Sequence, residues 1–367
     1  MVNALFKSGR SGVLNTAMDF SCAVTDANFQ SVSVALGLPA HVGAIELIPK
    51  VVAARHGGSL APGDCFVNND GYLGNTHCAD FTLCVPVFYE GRPRFYAIAR
   101  AHFADMGFPI PTTYHAAAPD RFHEGLQLPC VRVQRNYADV PEVIDICKAN
   151  IRAPEQFYGD YLACLAAVRT GEKRLIELCD KHGVDFMENF VSEFQDYAER
   201  VAIDAISKLP KGKVTRTIYY DSNLPDYPNG IPITATLTVD PDERYVHFDL
   251  TDNVDNVPLG VNMTESTTLA SCRMATLNVL GPDIPRCTGA FRRIKIEMRE
   301  GALVGRPRHP AATSAATSNV CSAFASLCHA LFADLSDRHG SAFGSIGMSG
   351  ASPVVSGRDP RRGGKPF

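Results

Sequence analysis

The sequence predicts an α+β fold in which mixed sheets flank a central helical segment. Short β-branched and aromatic runs, punctuated by Gly, Pro, Asn and Asp, dominate from Asp19 to about Val133 and return after Pro210. Between them, from Pro141 to Leu209, apolar residues recur at helical spacing. With 367 residues, 46% hydrophobic and 20% charged, the chain has the make-up of a soluble globular protein and the length for two domains. The expected organisation is a β-rich region over 1–140, a helical segment over 141–209 and a second α/β region over 210–367.

DFSCAVTD reads as a short strand with Asp at both ends, and GAIELIPKVVAARHGG as the one clear helix of the first region, stopped by Gly after His56. APGDCFVNNDGY opens on a turn and continues as a buried strand. It closes on Asn68, Asn69, Asp70 and Gly71, which are expected to turn through positive-φ positions, as are Gly74 and Asn75. Two strand-like runs follow, joined by a hairpin turn at Glu90-Gly91, the second ending at His102 and Asp105. In the helical segment PEVIDICKANI is short, and a second helix starts near Pro154 and is expected to end at Gly171. The third places Met187, Phe190, Phe194, Tyr197, Val201 and Ile206 along one core-facing stripe. Beyond Pro210, VTRTIYY, IPITATLTV and YVHFDL are strands, the last two joined through DPDER. A polar segment then leads to a helix around Leu269 to Val279, FRRIKIEM is another strand, and 311–334 reads as a buried helix. The Gly/Ser-rich tail over 340–367 stops without a cap or closing strand, as a cut chain would.

The chemistry concentrates in the hairpin. His77 and Asp80 form an H-x-x-D pair in a Gly/Asn-rich turn before its first strand, and His102 ends its second. Two imidazoles and a carboxylate are therefore expected at corresponding strand ends. Such ligands suit borderline divalent ions and leave coordination positions open. A lone histidine is more often a satisfied structural residue, but three ligand-type residues in adjoining turns argue for a metal. Nitrogen and oxygen ligands without thiolate suit Zn²⁺ or Mn²⁺ and do not choose between them. Asp19, just before a strand, is a fourth candidate that spacing alone does not place. His41 and Asp105 are candidates for catalysis or for orienting a ligating imidazole, and Asp105 could equally cap the turn before Gly107. Glu124, in FHEGLQLP, is a candidate general base or substrate contact, with a loop salt bridge as the alternative.

The twelve cysteines contain no C-x-x-C and read as small buried thiols in a reducing compartment. Cys78, inside the H-C-A-D turn, is the one placed near the ligand candidates. A net charge of −4 gives no footprint for nucleic acid or anionic lipid. No apolar run reaches membrane-spanning length, and MVNALFKSGRSG lacks a signal core, so a cytoplasmic protein without a membrane partner is expected. There is no G-x-x-x-x-G-K-[ST], no strand–GxGxxG–helix unit and no G-x-S-x-G elbow.

MDFSCAVTD, PAHVG, PGDCFVNNDGYLGNTHCADFTLCVPVF, ARAHFADMG, FHEGLQLP, ANIRAPEQFYGD and FRRIKI together resemble the hydantoinase B/oxoprolinase family. That family includes N-methylhydantoinase B, the matching half of 5-oxoprolinase, caprolactamase, and large subunits of acetone and acetophenone carboxylases. The resemblance covers nearly the whole chain and implies a hydantoinase B-like fold. It also implies a divalent metal held by Asp19 of D-F-S, His77 and Asp80 of T-H-x-x-D, and His102 of R-A-H. The family's usual R-A-H-H-A-D is R-A-H-F-A-D here, so Phe103 is expected to alter the wall beside the metal. Family members run longer at both ends, which makes this chain a fragment by comparison.

In the family a separate A-type subunit with an actin-like ATPase fold phosphorylates the substrate, using ATP and Mg²⁺, and the B-type chain completes the reaction. The resemblance thus implies a hetero-oligomer acting on a small cyclic amide or ketone. Three roles compete: part of a cyclic-amide hydrolase (hydantoin, 5-oxoproline or lactam), part of a ketone carboxylase, or a non-catalytic partner stiffened by its metal.

Overall fold

The architecture grows from one hairpin. In the computed structural model, which describes residues 1–336 apart from 36 and 222, together with 358–359, 363 and 365–366, strands Asp80–Tyr89 and Arg92–His102 pair antiparallel along their length. Glu90 and Gly91 turn between them at φ of 49° and 78°, the double positive-φ geometry that matches strand twist. In chain order the sheet around this hairpin comprises β1 (Phe20–Asp26), β2 (Ser31–Val34), β3 (Cys65–Asn68), β4 (Asp80–Tyr89), β5 (Arg92–His102), β6 (Val131–Arg135) and β7 (Ala138–Asp139). Its spatial order is β2-β1-β5-β4-β3-β6-β7, and all its pairs are antiparallel.

Side chains alternate across this sheet as the pleat requires. Phe81, Leu83, Val85 and Val87 on β4, with Phe95, Ala97, Ala99 and Ala101 on β5, enter one core. Cys84, Tyr96 and Ile98 enter another on the opposite face. Ten helices complete the described chain. They are α1 (Val2–Ser8), α2 (Gly12–Asn15), α3 (Pro39–Val42), α4 (Leu47–His56), α5 (Pro141–Asn150), α6 (Pro154–His182), α7 (Val184–Ile206), α8 (Glu265–Leu280), α9 (Thr288–Phe291) and α10 (Val320–Leu335).

The second helix of the central segment does not end at Gly171. α6 continues to His182, and Gly171 is buried where the helix lies on the sheet. A Cβ there would stand 3.0 Å from Ala97 Cβ and 2.7 Å from Met1 Sδ, so close approach, not helix termination, explains the glycine. The expected stripe of α7 is also shifted. Its buried residues are Val184, Val191, Gln195, Ala198, Ala202 and Ile206, while Phe190 and Tyr197 are 52% and 49% exposed. Two neighbours, the first sheet and the α8–α9 region, set which side of α7 is covered, and aromatic content did not. Asn68 to Gly71 do not use positive φ. Asp70 instead caps a 3₁₀ turn at Gly71–Leu73, and Gly74 alone takes the left-handed conformation, at φ 77°.

The remaining strands, β8 (Gly212–Tyr220), β9 (Ile231–Asp240), β10 (Tyr245–Asp249) and β11 (Ile294–Glu297), form a second sheet in the order β11-β10-β9-β8. It is mixed, because β10 and β11 run parallel. Ile231, Ile233, Ala235, Leu237 and Val239 bury one face against α8 and α10, and the α7 end, with Ala198, Ala202 and Ile206, joins this core. On the other face Thr215–Thr236 and Thr217–Thr234 hydroxyls pair at 2.8 Å in a solvent-facing ladder. The tail over 340–367 lies outside the described residues except for Gly363 and the short strands β12 (Arg358–Asp359) and β13 (Lys365–Pro366), which pair with each other. Among the described residues no helix is long and apolar enough to cross a membrane. All twelve cysteines are free and buried.

Candidate metal centre

Strand register builds the site. Asp80 on β4 is the cross-strand partner of His102 on β5. On the other side of β5, His102 N–H donates to Asp19 O at 3.0 Å, extending the β1 ladder by one residue. Asp19, His102 and Asp80 therefore stand in a row on one face of three adjacent strands. The next row down that face is Ser21, Arg100 and Thr82, again cross-strand partners.

His77 reaches the row through the turn before β4. Asn75 Nδ2 donates to the carbonyls of His77 and Asp80 at 2.8 and 2.7 Å, and its Oδ1 accepts from Thr82 Oγ1 at 2.7 Å. Asn69 similarly donates to Cys78 O and Leu126 O. These amides are spent on holding the turn, so they are not free donors for a bound carbonyl. His41 arrives from α3. Its backbone carbonyl accepts from Arg100 Nη1 at 3.0 Å, and its Nδ1 shares a hydrogen bond with Ser21 Oγ at 3.3 Å.

Four distances define the cluster. Asp80 Oδ1 is 3.2 Å from His77 Nε2 and 3.3 Å from His102 Nδ1, and Asp80 Oδ2 is 3.1 Å from His41 Nε2. Asp19 Oδ2 is 4.0 Å from His102 Nδ1. His77, Asp80 and His102 each offer a ligand atom within 4.8 Å of the others, a group that could hold a metal ion. His77 Nδ1 must donate to Ser314 O, 2.7 Å away, which leaves a lone pair on Nε2 facing the carboxylate. Accordingly His77 Nε2, Asp80 Oδ1 and Asp19 Oδ1 are buried without a hydrogen-bond partner among the described residues. Lone pairs aimed at one another from buried groups repel unless a cation or proton lies between them, so the donor set fits a divalent ion.

The electrostatics show that a proton can fill the same place. Burial opposes the Asp80 charge, yet His41, His77 and His102 hold its carboxyl well below the usual range. Burial also opposes a charged His77, but Asp80 and the Ser314 carbonyl more than offset this and raise its pKa. Asp80 is thus ionised and ready to bind a cation. Tyr114 stacks on both imidazoles, its ring centroid 5.3 Å from His77 and 5.1 Å from His102. Thr113 Oγ1 shares a 2.8 Å hydrogen bond with His102 Nε2. The cluster opens onto a cavity of about 370 Å³ whose other walls are α8 and α10.

The other candidates fall in different places. His41 lines the cavity. Asp105 does not: it accepts from Gly107 N–H, the Arg152 backbone and the Arg152 guanidinium, as a turn cap. Glu124 is buried behind His77, where it accepts from Thr313 N–H next to Ser314. Burial pushes its pKa up to about 7. Cys78 is buried in the first core, its thiol pushed up by burial. Phe103 does not form the wall beside the cluster. Adjacent residues of a strand point to opposite faces, so Phe103 lies under the sheet, 4.6 Å from the Phe81 ring and 5.4 Å from that of Phe157. Ser21, Thr82 and Arg100 were not singled out from sequence. Each lies two residues from a ligand candidate on its own strand, and that period-2 spacing was a usable signal.

The hydantoinase B/oxoprolinase family matches the chain over residues 1–367. A chain of Pseudomonas sp. (strain NS671) named as the B component of a D-/L-hydantoinase is 32% identical, over 86% of this chain and 55% of its own. The acetophenone carboxylase delta subunit of Aromatoleum aromaticum is 26% identical, over 94% and 51%. The crystal structure of ATP-dependent caprolactamase from Pseudomonas jessenii superposes with a TM-score of 0.85 at 24% identity, covering 97% of this chain and 58% of that one, a likeness of fold. The chain spans about half the length of the curated relatives it matches. Its sequence, matched to the family along its whole length, makes it a member of the hydantoinase B/oxoprolinase family.

Proposed function

We propose that the chain is the metal-binding B-type part of an ATP-dependent cyclic-amide hydrolase. In this reading it opens a hydantoin, 5-oxoproline or lactam ring that a separate A-type, actin-like ATPase subunit has phosphorylated with ATP and Mg²⁺. The observation that carries it is the set of orphaned ligand atoms on His77, Asp80 and Asp19 beside an open cavity. An ion that served only to stiffen the fold would be enclosed by protein ligands, whereas this cluster faces space for a substrate.

His77, Asp80 and His102 would hold the ion, with Asp19 as a fourth ligand, and the donor set suits Zn²⁺ or Mn²⁺. Bound there, the ion would supply Lewis acidity toward a carbonyl oxygen or imidate nitrogen, which makes the attached carbon more electrophilic, and toward water. An amide resists attack because of its resonance, and phosphorylating its oxygen removes that protection. The chain's own residues then position and shuttle. Ser21 and the His41 carbonyl's bond to Arg100 hold His41 with Nε2 toward Asp80, where it can take or give a proton. Tyr114 fixes both imidazole planes. Asp105 and Glu124 act from outside the cavity, Glu124 by holding the 313–314 segment that accepts from His77. ATP dependence and twelve free thiols fit a cytoplasmic hetero-oligomer.

The likeness to the acetophenone carboxylase delta subunit supports a second reading, the corresponding part of an ATP-dependent ketone carboxylase. One assay separates the two: ATP hydrolysis by the full-length complex against a lactam and ketone panel, with and without bicarbonate. The expected result is ring-dependent hydrolysis of ATP without bicarbonate. A strict requirement for both ketone and bicarbonate would replace the first reading by the second. Sustained ATP-dependent turnover by the isolated B-type protein would overturn the division of labour itself.

A further inference from the structure

α8 and α10 wall the cavity with one shared pattern. Ser271, Met274 and Asn278 on α8 and Cys321, Ala325 and His329 on α10 face it. Two rungs join the helices: Ser271 Oγ lies 3.7 Å from Cys321 Sγ, and Asn278 Nδ2 lies 3.1 Å from His329 Nε2. Cys272 Sγ also lies 4.0 Å from Cys328 Sγ, so the helices cross, and seven to eight residues of helical rise separate the rungs by roughly 10 Å along each helix. The first rung lies toward the cluster, because the segment leading into each helix bonds to His77 or to its neighbour Thr76. Thr264 Oγ1 donates to Thr76 O at 2.9 Å, and Ser314 O accepts from His77. Asn278 is exposed, as are the lining residues Leu38 and Pro39, whereas His329 is buried, so Asn278 stands at one opening of the cavity.

Met274 and Ala325 stand between the rungs. A small ring whose amide carbon reaches the cluster must lie against them. There it meets a thioether and a methyl group, with the Asp19 and Asp80 carboxylates at the base. An anionic substituent on the ring would lose its water against these walls, and among the described residues no lysine or arginine lines the cavity to replace it, a costly placement. The guanidiniums carried by neighbouring positions are committed elsewhere. Arg100 donates to Thr82 Oγ1 and to the His41 and Gly74 carbonyls, and Arg273 donates to Gly43 O and Glu46.

We propose that the cavity selects neutral rings and rejects rings bearing a carboxylate, with Met274 and Ala325 as the specificity-determining positions. Among cyclic amides this points to hydantoins and lactams over 5-oxoproline. The inference rests on the cyclic-amide reading above.

The test uses the full-length, metal-loaded protein with its ATPase partner, assayed on hydantoin, ε-caprolactam and 5-oxoproline. The expected kcat/KM for a neutral ring exceeds that for 5-oxoproline by about tenfold or more. Ala325→Lys, at a half-buried position from which an ammonium can reach the mouth, should narrow or reverse the ratio through KM, with Met274→Lys as the second variant. Wild-type turnover of 5-oxoproline matching that of the neutral rings would overturn the inference, as would a ratio unmoved in both folded variants. If no ring is turned over, the cyclic-amide reading fails, and selectivity is judged separately by ligand-observed NMR with the same three compounds. Weaker binding of 5-oxoproline than of the neutral rings then supports selection by charge, and equal or tighter binding removes it.

Discussion

On β4 and β5 the odd-numbered residues Phe81, Leu83, Ala99 and Ala101 pack into the first core, while the even-numbered Asp80, Thr82, Arg100 and His102 are equally buried on the opposite face. The strands are the same, and so is the degree of burial. What differs is satisfaction. The apolar face gains from every contact, and each residue is replaceable by another of similar volume. The polar face is held by directional bonds, from Arg100 to Thr82 and from Asn75 to two carbonyls, and it still leaves Asp80 Oδ1 and His77 Nε2 orphaned. One face is arranged for stability, and the other carries a local electrostatic cost that a bound cation would relieve.

The largest expected effect is on metal content. The protein should carry about one divalent ion per chain, as one ligand cluster implies, and His77→Ala should remove it together with ATP-dependent turnover. Phe81→Ala, its neighbour on the apolar face, should instead cost about 3–5 kcal/mol of stability and leave the ion in place. Elemental analysis and denaturant unfolding of both variants read this out. Full metal retention in His77→Ala would place the ligands elsewhere.

A smaller effect sharpens the same contrast at Phe103. Phe103→His restores the family's usual residue, but the imidazole would enter the Phe81–Phe157 stack on the core face. We expect about 1–3 kcal/mol of destabilisation with unchanged metal stoichiometry. Tighter metal binding in this variant would contradict the assignment of Phe103 to the core face.

The smallest effect concerns pH. Glu124 titrates near 7 in the folded protein, raised by burial above its ordinary value of 4.5. Between those values the folded state holds the proton more tightly than the unfolded one. Stability should therefore fall as pH rises through this window, by about 3 kcal/mol at most, and level off above it. Glu124→Gln, compared with wild type after chelation, should remove that part of the slope. Identical pH profiles would mean that Glu124 ionises normally.

Much of this was legible in the chain. The Glu90-Gly91 turn and the flanking runs specify the hairpin, and the hairpin places Asp80 opposite His102. The T-H-x-x-D spacing folds His77 back toward Asp80 within one turn. Helix ends were less legible, because Gly171 answers to a sheet surface that local pattern does not contain. The side of α7 that is covered was hidden for the same reason.

Local sequence determined the elements, the His77–Asp80 turn and the strand ends on which the cluster is built, because these depend on short-range backbone preferences and period-2 alternation. Tertiary structure alone decided the rest. It brought His41 from α3, and Ser314 from more than two hundred residues away, to fix the imidazoles. It packed α8 against α10 as the cavity walls, and it sent Glu124, Asp105 and Phe103 away from the opening. Those outcomes depend on which surfaces pack together, and packing is a property of the whole chain that no single segment carries.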